Sequence, residues 1–130
     1  MAAGTGIVPF IPILDQIMGR GENPKAGHVL IYANKHKEDI LFKNKLRKML
    51  GVNFIPLLSR NKTNTRLPKR MNLMYLKFLV LKKDQYFYIC GPKSFEFETR
   101  NHLLQIGIVE NQIQTGYQFK ETQLTHSNLQ

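Results

Sequence analysis

His28-Val29-Leu30-Ile31-Tyr32-Ala33 gives way to Glu38-Asp39-Ile40-Leu41-Phe42-Lys43-Asn44-Lys45-Leu46-Arg47-Lys48-Met49-Leu50, and then to Val52-Asn53-Phe54-Ile55-Pro56-Leu57-Leu58. The first stretch is a continuous apolar run with β-branched residues, the pattern of a strand buried on both faces. The second groups Ile40, Leu41, Phe42, Leu46, Met49 and Leu50 at helical spacing. Its acids Glu38 and Asp39 come first and its bases Lys45, Arg47 and Lys48 come late, the polarity that a helix macrodipole favours, and Gly51 closes it. The third is again strand-like, and Pro56, which has no N–H for a ladder, predicts an edge position. Strand, helix, strand with short connections predicts parallel pairing through a crossover.

The same alternation extends outward. Gly4 to Gly6 reads as a glycine turn, and Pro9 to Met18 as a helix stopped by Gly19 and Gly21. Beyond Leu58, a basic loop from Ser59 to Arg70 leads into a helix from Met71 to Leu81 and a strand from Gln85 to Ile89. A helix from Lys93 to Gln105, ended by Gly107, and a last strand from Gln112 to Phe119 follow. The consecutive aromatics Tyr86, Phe87 and Tyr88 read as a strand buried on both faces. The expected fold class is α/β: a doubly wound parallel sheet in three αβα layers. Residues 1–119 form one domain, and 120–130 a polar tail.

Composition narrows the class. With 130 residues, 42% hydrophobic and 22% charged, the chain suits one globular domain and not a disordered one. No apolar run reaches 18 residues, so no membrane-spanning segment and no membrane partner is expected. A single cysteine, Cys90, excludes an internal disulfide framework and any multi-cysteine zinc site, and no metal site is expected. Together with the lack of a secretory leader, this favours a cytoplasmic setting. Nineteen Lys plus Arg against nine Asp plus Glu give a formal charge of +10, an attraction for anions. Arg60, Lys62, Arg66, Lys69, Arg70, Lys77, Lys82 and Lys83 fall between Ser59 and Lys83 with no acid among them.

In a doubly wound sheet, ligands bind beyond the carboxyl ends of the strands. Three segments in that position carry chemistry. Gly4-Thr5-Gly6 before a helix combines close backbone approach, a hydroxyl and the free N–H groups of a helix start, which suits a diphosphate. It is neither the G-x-G-x-x-G fingerprint nor a Walker loop. Ser59-Arg60 follows the second strand. Cys90-Gly91-Pro92 follows the aromatic strand; a buried cysteine is most often a small hydrophobe, and no motif places a histidine beside this one as a base.

Taken in order, G-T-G-I-V-P-F, L-I-Y-A-N-K-H-K-E-D-I, L-L-S-R and Y-F-Y-I-C-G-P-K-S-F resemble the pyridine-nucleotide half of the ferredoxin–NADP reductase-like flavoenzymes, over Ala2 to Phe119. The resemblance is greatest to flavodoxin or ferredoxin reductases and oxygenase-reductase components. It implies that Gly4, Thr5, Gly6 and Pro9 line the diphosphate and nicotinamide-ribose region. It further implies that Ser59 and Arg60 hold an adenosine 2′-phosphate, and that Cys90, Gly91 and Pro92 border the nicotinamide, with Cys90 the catalytic candidate. Phe95 packs the helix that follows; Asn34 and Lys35 end a strand beside the cleft with no assigned role.

Two departures carry weight. Members of that family have an apolar strand directly before G-T-G-I-x-P, and here only Met1, Ala2 and Ala3 precede it, so the chain reads as truncated at its N-terminus. On that reading the strands Val29–Ala33 and Gln85–Ile89 lose a shared neighbour, and self-association is expected. The family's flavin barrel, with its Arg-x-Tyr-[Ser/Thr] motif, is also lacking. The implied function is the NADP (or NAD) binding domain of a flavin-dependent oxidoreductase. FAD is expected on a separate flavin-binding domain, an acidic carrier such as ferredoxin or flavodoxin is the electron acceptor, and the isolated chain is inactive. The alternative is a non-catalytic basic domain for nucleic acid or an acidic protein, or a regulatory domain that keeps the fold; consecutive rather than alternating aromatics weigh against nucleic acid.

Overall fold

A computed structural model describes residues 1–62 and 66–116. The elements run β1 (Ala2–Ala3), α1 (Phe10–Gly19), β2 (Leu30–Asn34), α2 (Lys43–Leu50), β3 (Phe54–Leu58), α3 (Leu73–Leu79), β4 (Phe87–Ile89), α4 (Lys93–Gln105) and β5 (Ile113–Thr115). Single 3₁₀ turns lie between several of them, including Gly4–Ile7 directly after β1.

Among the described residues all pairing is parallel. β1, β2 and β3 form one ladder, with Ala2 opposite Tyr32 and Leu30–Asn34 opposite Phe54–Leu58. β4 and β5 form another, Phe87 opposite Ile113. A bridge between Ala2 and Cys90 joins them, so the strand order across the molecule is β3-β2-β1-β4-β5. Among the described residues β3, with Pro56, pairs on one side only, as its sequence predicts.

The sheet separates two cores. On one face α1 and α2 pack Ile11, Leu14, Ile17, Leu46, Met49 and Leu50 against Leu30, Tyr32 and Phe54. On the other, Leu76 of α3 and Leu103 of α4 pack against Ile31, Leu57, Phe87, Ile89 and Ile113. Residues that alternate along β2 therefore feed both cores, which is why this strand is apolar throughout.

Met1–Ala3 supply the neighbour that the sequence reading expects β2 and β4 to lack. The Met1 amino group donates to the Tyr88 carbonyl at 2.7 Å, Cys90 N–H to the Met1 carbonyl at 3.0 Å, and Ala3 N–H to the Cys90 carbonyl at 3.1 Å. The expected exposed edges are thus corrected toward the cleft end of the sheet.

Three other expectations change. The helix read over Glu38–Leu50 begins only at Lys43, because Phe42 adopts a left-handed conformation (φ 56°) and Lys37–Asp39 forms its own turn. There the Asp39 carboxylate accepts the His36 N–H at 3.1 Å, a local bond that competes with helix continuation. The aromatic strand is buried on one side only: Phe87 is buried, while Tyr86 and Tyr88 are 69% and 38% exposed, because no residue of β4 or β5 joins the α1–α2 core. The last strand is described as Ile113–Thr115; residues 117–119 of the expected strand and the tail 120–130 lie outside the described residues.

Loss of water around the Met1 amino group lowers its pKa from 8.0 to about 5, with the charge of Cys90 acting in the opposite sense. Between those values the unfolded chain binds the extra proton, so this contribution to stability is complete above pH 8 and declines as pH falls toward 5. Melting temperature is therefore expected to rise from pH 5 to pH 8, and acetylation of Met1 should flatten that slope, as measured by calorimetry on both forms.

Candidate functional site

β1, β2 and β3 all end at one cleft of about 780 Å³, the size of a small-molecule site. Gly4 and Thr5 line it after β1, Asn34 and Lys35 at the end of β2, and Ser59 after β3. Lys69, Arg70 and Met71 contribute from the segment before α3, Pro92 from the turn after β4, and Ser94, Phe95, Glu98 and Thr99 from α4. Glu38 and Asp39 stand on the same wall as Lys35.

The glycine turn is held from several directions. Gly4 has φ +56°, a conformation glycine adopts without steric cost, and its carbonyl accepts the Tyr32 hydroxyl at 2.7 Å. The Tyr32 ring is fully buried and its hydroxyl reaches the end of β2; burial raises its pKa, which keeps the phenol protonated as a donor. Gly6 lies against the next loop: a Cβ there would overlap the Cys90 carbonyl and come within 2.8 Å of Gly91 Cα. Gly91 is equally confined, since a Cβ would meet Phe95 at 2.9 Å and Ala3 Cβ at 3.0 Å. Phe95, which the sequence assigns to packing its own helix, thus packs the turn as well.

The loop after β4 has a second anchor. The Glu96 carboxylate accepts the N–H of Gly91 and that of Gly116, both at 3.2 Å, and so ties this loop to the end of β5. A Cβ on Gly116 would overlap that carboxylate and stand 3.1 Å from the Cys90 sulfur. Cys90 itself is buried. The loop after β3 is tied by backbone bonds, Ser59 N–H to the Asn34 carbonyl and Arg60 N–H to the Lys35 carbonyl, each at 2.9 Å.

The sequence candidates divide accordingly. Gly4, Thr5, Ser59 and Pro92 line the cleft. Gly6, Cys90 and Gly91 form the backbone contact that joins two of its loops. Pro9 caps the start of α1 with φ −64°, and Arg60 is exposed in the turn after β3. The cleft adds Lys69, Arg70, Asn34, Lys35 and the acids Glu38, Asp39 and Glu98. The basic pair was visible as part of a charge run, while the acids carried no signal because their position depends on the turn at Lys37–Asp39 and on the pitch of α4.

Chemically the cleft offers a glycine turn that carries the Thr5 hydroxyl, further hydroxyls, and cations on the β3 side. The Asn34 amide nitrogen is buried at the end of β2, beside the Tyr32 hydroxyl. Among the described residues, no three His, Cys, Asp or Glu side chains come together as a metal site.

The family of oxidoreductase NAD-binding domains matches residues 1–101. The chain belongs to that family. A search of curated proteins finds no match. Among solved structures, the fold resembles a flavohemoglobin from Malassezia yamatoensis with bound FAD and heme, at a TM-score of 0.70 and 18% identity. The alignment covers 88% of this chain and 29% of the flavohemoglobin. The glycine turn and the cations that line the cleft suit a polar, anionic ligand, as expected of an NAD-binding domain.

Two substitutions test the loop clamp. Gly6→Ala forces backbone apart and should destabilise the chain by about 1–3 kcal/mol. Glu96→Ala leaves two N–H groups without their acceptor and should cost about 1.5–3 kcal/mol, while Glu96→Gln, which keeps an acceptor oxygen, should recover most of it. Urea unfolding of the three variants checks both; equal loss in the Ala and Gln variants at Glu96 would remove the clamp from the account.

Proposed function

We propose that this domain binds NADPH and, joined to a flavin domain, serves an oxidoreductase that moves electrons from the nicotinamide to a protein acceptor. The observation that carries the reading is the cleft at the ends of β1, β2 and β3, with a glycine cradle on one side and Ser59, Lys69 and Arg70 on the other. Gly4, Thr5 and Gly6 present backbone and hydroxyl donors to the diphosphate, and the turn keeps its shape through Tyr32. Ser59, Lys69 and Arg70, with Arg60 at the margin, hold the adenosine 2′-phosphate by charge-assisted hydrogen bonds. Pro92 and the clamped Cys90–Gly91 loop border the nicotinamide. The bound nucleotide supplies the hydride chemistry and FAD on the flavin domain receives it; this chain orients the nicotinamide. Cys90 acts by position: with a flavin domain joined, Cys90→Ala should slow flavin reduction by about 10²-fold and change affinity little. A ferredoxin- or flavodoxin-like acidic carrier fits the +10 charge.

A second reading has its own observation. Glu38 and Asp39 follow β2 on the same cleft, and carboxylates there suit the free ribose hydroxyls of NADH. Calorimetry at low salt separates the two. NADPH is expected to bind more tightly than NADH. Arg70→Ala should weaken NADPH by about 1.5–3 kcal/mol and leave NADH nearly unchanged, with a smaller loss for Arg60→Ala. Equal affinity for both nucleotides in the unmutated chain would favour the second reading, and binding of neither would sink both.

A further inference from the structure

α3 is a short helix with one face too apolar for water. Leu76 is its fully buried anchor, yet Met74 and Phe78, four residues apart on the opposite side, are 82% and 75% exposed, and Leu81, just past the helix end, is 87% exposed. Met74 and Phe78, at i and i+4, share one helical face, and Leu81 adds a third exposed apolar side chain in the segment that leaves the helix. Lys77 lies alongside these side chains, Lys82 and Lys83 follow them, and Arg70 precedes the helix; all four are exposed. No acid occurs from Ser59 to Lys83.

We propose that this face of α3 adsorbs reversibly to an anionic lipid bilayer. Apolar side chains that protrude from a basic surface enter the boundary between headgroups and acyl chains, while lysines on long stems reach back to lipid phosphates and carboxylates. The charge complementarity is one-sided, and a polybasic segment beside an apolar patch supplies the two signals that surface binding needs. Four cations flank three apolar side chains that are each at least 75% exposed, a pairing of the two signals that an anionic bilayer reads together. The absence of a long apolar run, which underlies the expectation of no membrane partner, bears on spanning a bilayer and not on lying at its surface; no described helix is long and apolar enough to cross one. This inference is independent of which nucleotide fills the cleft.

The test is co-sedimentation of the full chain with phosphatidylcholine vesicles, with and without phosphatidylserine, at low and high salt. Binding is expected only to the anionic vesicles, and should be lost at high salt. Phe78→Ser and Lys77→Glu remove exposed side chains, so their melting temperatures should match the parent, and each should lower the partition coefficient by about tenfold or more. No binding to anionic vesicles overturns the proposal, as does binding that both variants leave unchanged. Loss of binding to an acidic carrier protein in these variants, with vesicle binding intact, would assign the patch to a protein partner and overturn it as well.

Discussion

Ala3 donates its N–H to the carbonyl of Cys90, and on that bond and its two neighbours the two ladders become one sheet. The constraint reaches further than pairing. It fixes the turn that starts at Gly4 beside the turn that starts at Gly91, at a separation where neither Gly6 nor Gly91 tolerates a Cβ. A cleft between two loops keeps its shape only if the loops cannot slide, and here the sliding coordinate is closed by backbone contact. Glu96 adds a third tie through Gly116, and Tyr32 a fourth through Gly4.

This arrangement separates two kinds of work. Most residues that hold the loops are buried or have no side chain, with Glu96 half-buried; the charged and hydroxyl groups of the cleft stand apart from them. Cys90 belongs to the first kind and Ser59, Lys69 and Arg70 to the second. The site therefore resembles a rigid frame with replaceable fittings, in which nucleotide choice can change without disturbing the sheet.

Much of this was legible in the sequence. Continuous apolar runs at β2 and β3 announced a parallel sheet, Pro56 announced an edge, and α4 ran over Lys93–Gln105 as its pattern implies. What escaped depended on tertiary partners. Helical spacing at Ile40, Leu41 and Phe42 lost to the Asp39 cap and the left-handed Phe42. Tyr88 is an aromatic in a strand like Phe87, yet it is 38% exposed and joins neither core. Two alanines are too short to read as a strand, yet pairing on both sides gives them the central place. In the site, the glycine positions were evident because conformation demands them, whereas Glu38, Asp39 and Glu98 reach the cleft through geometry that no local pattern encodes.

Pro56 has a consequence for the company this sheet keeps. β3 is the outer strand on its side, and an outer strand ordinarily offers a comb of donors and acceptors to any passing chain. The missing N–H takes one tooth from the middle of a five-residue comb. An intruding strand would find its ladder broken at the centre, with no run of bonds long enough to nucleate growth. The molecule thus carries at that border a built-in refusal of sheet extension, achieved by one residue, while the pairing that faces inward to β2 stays in register along its whole length.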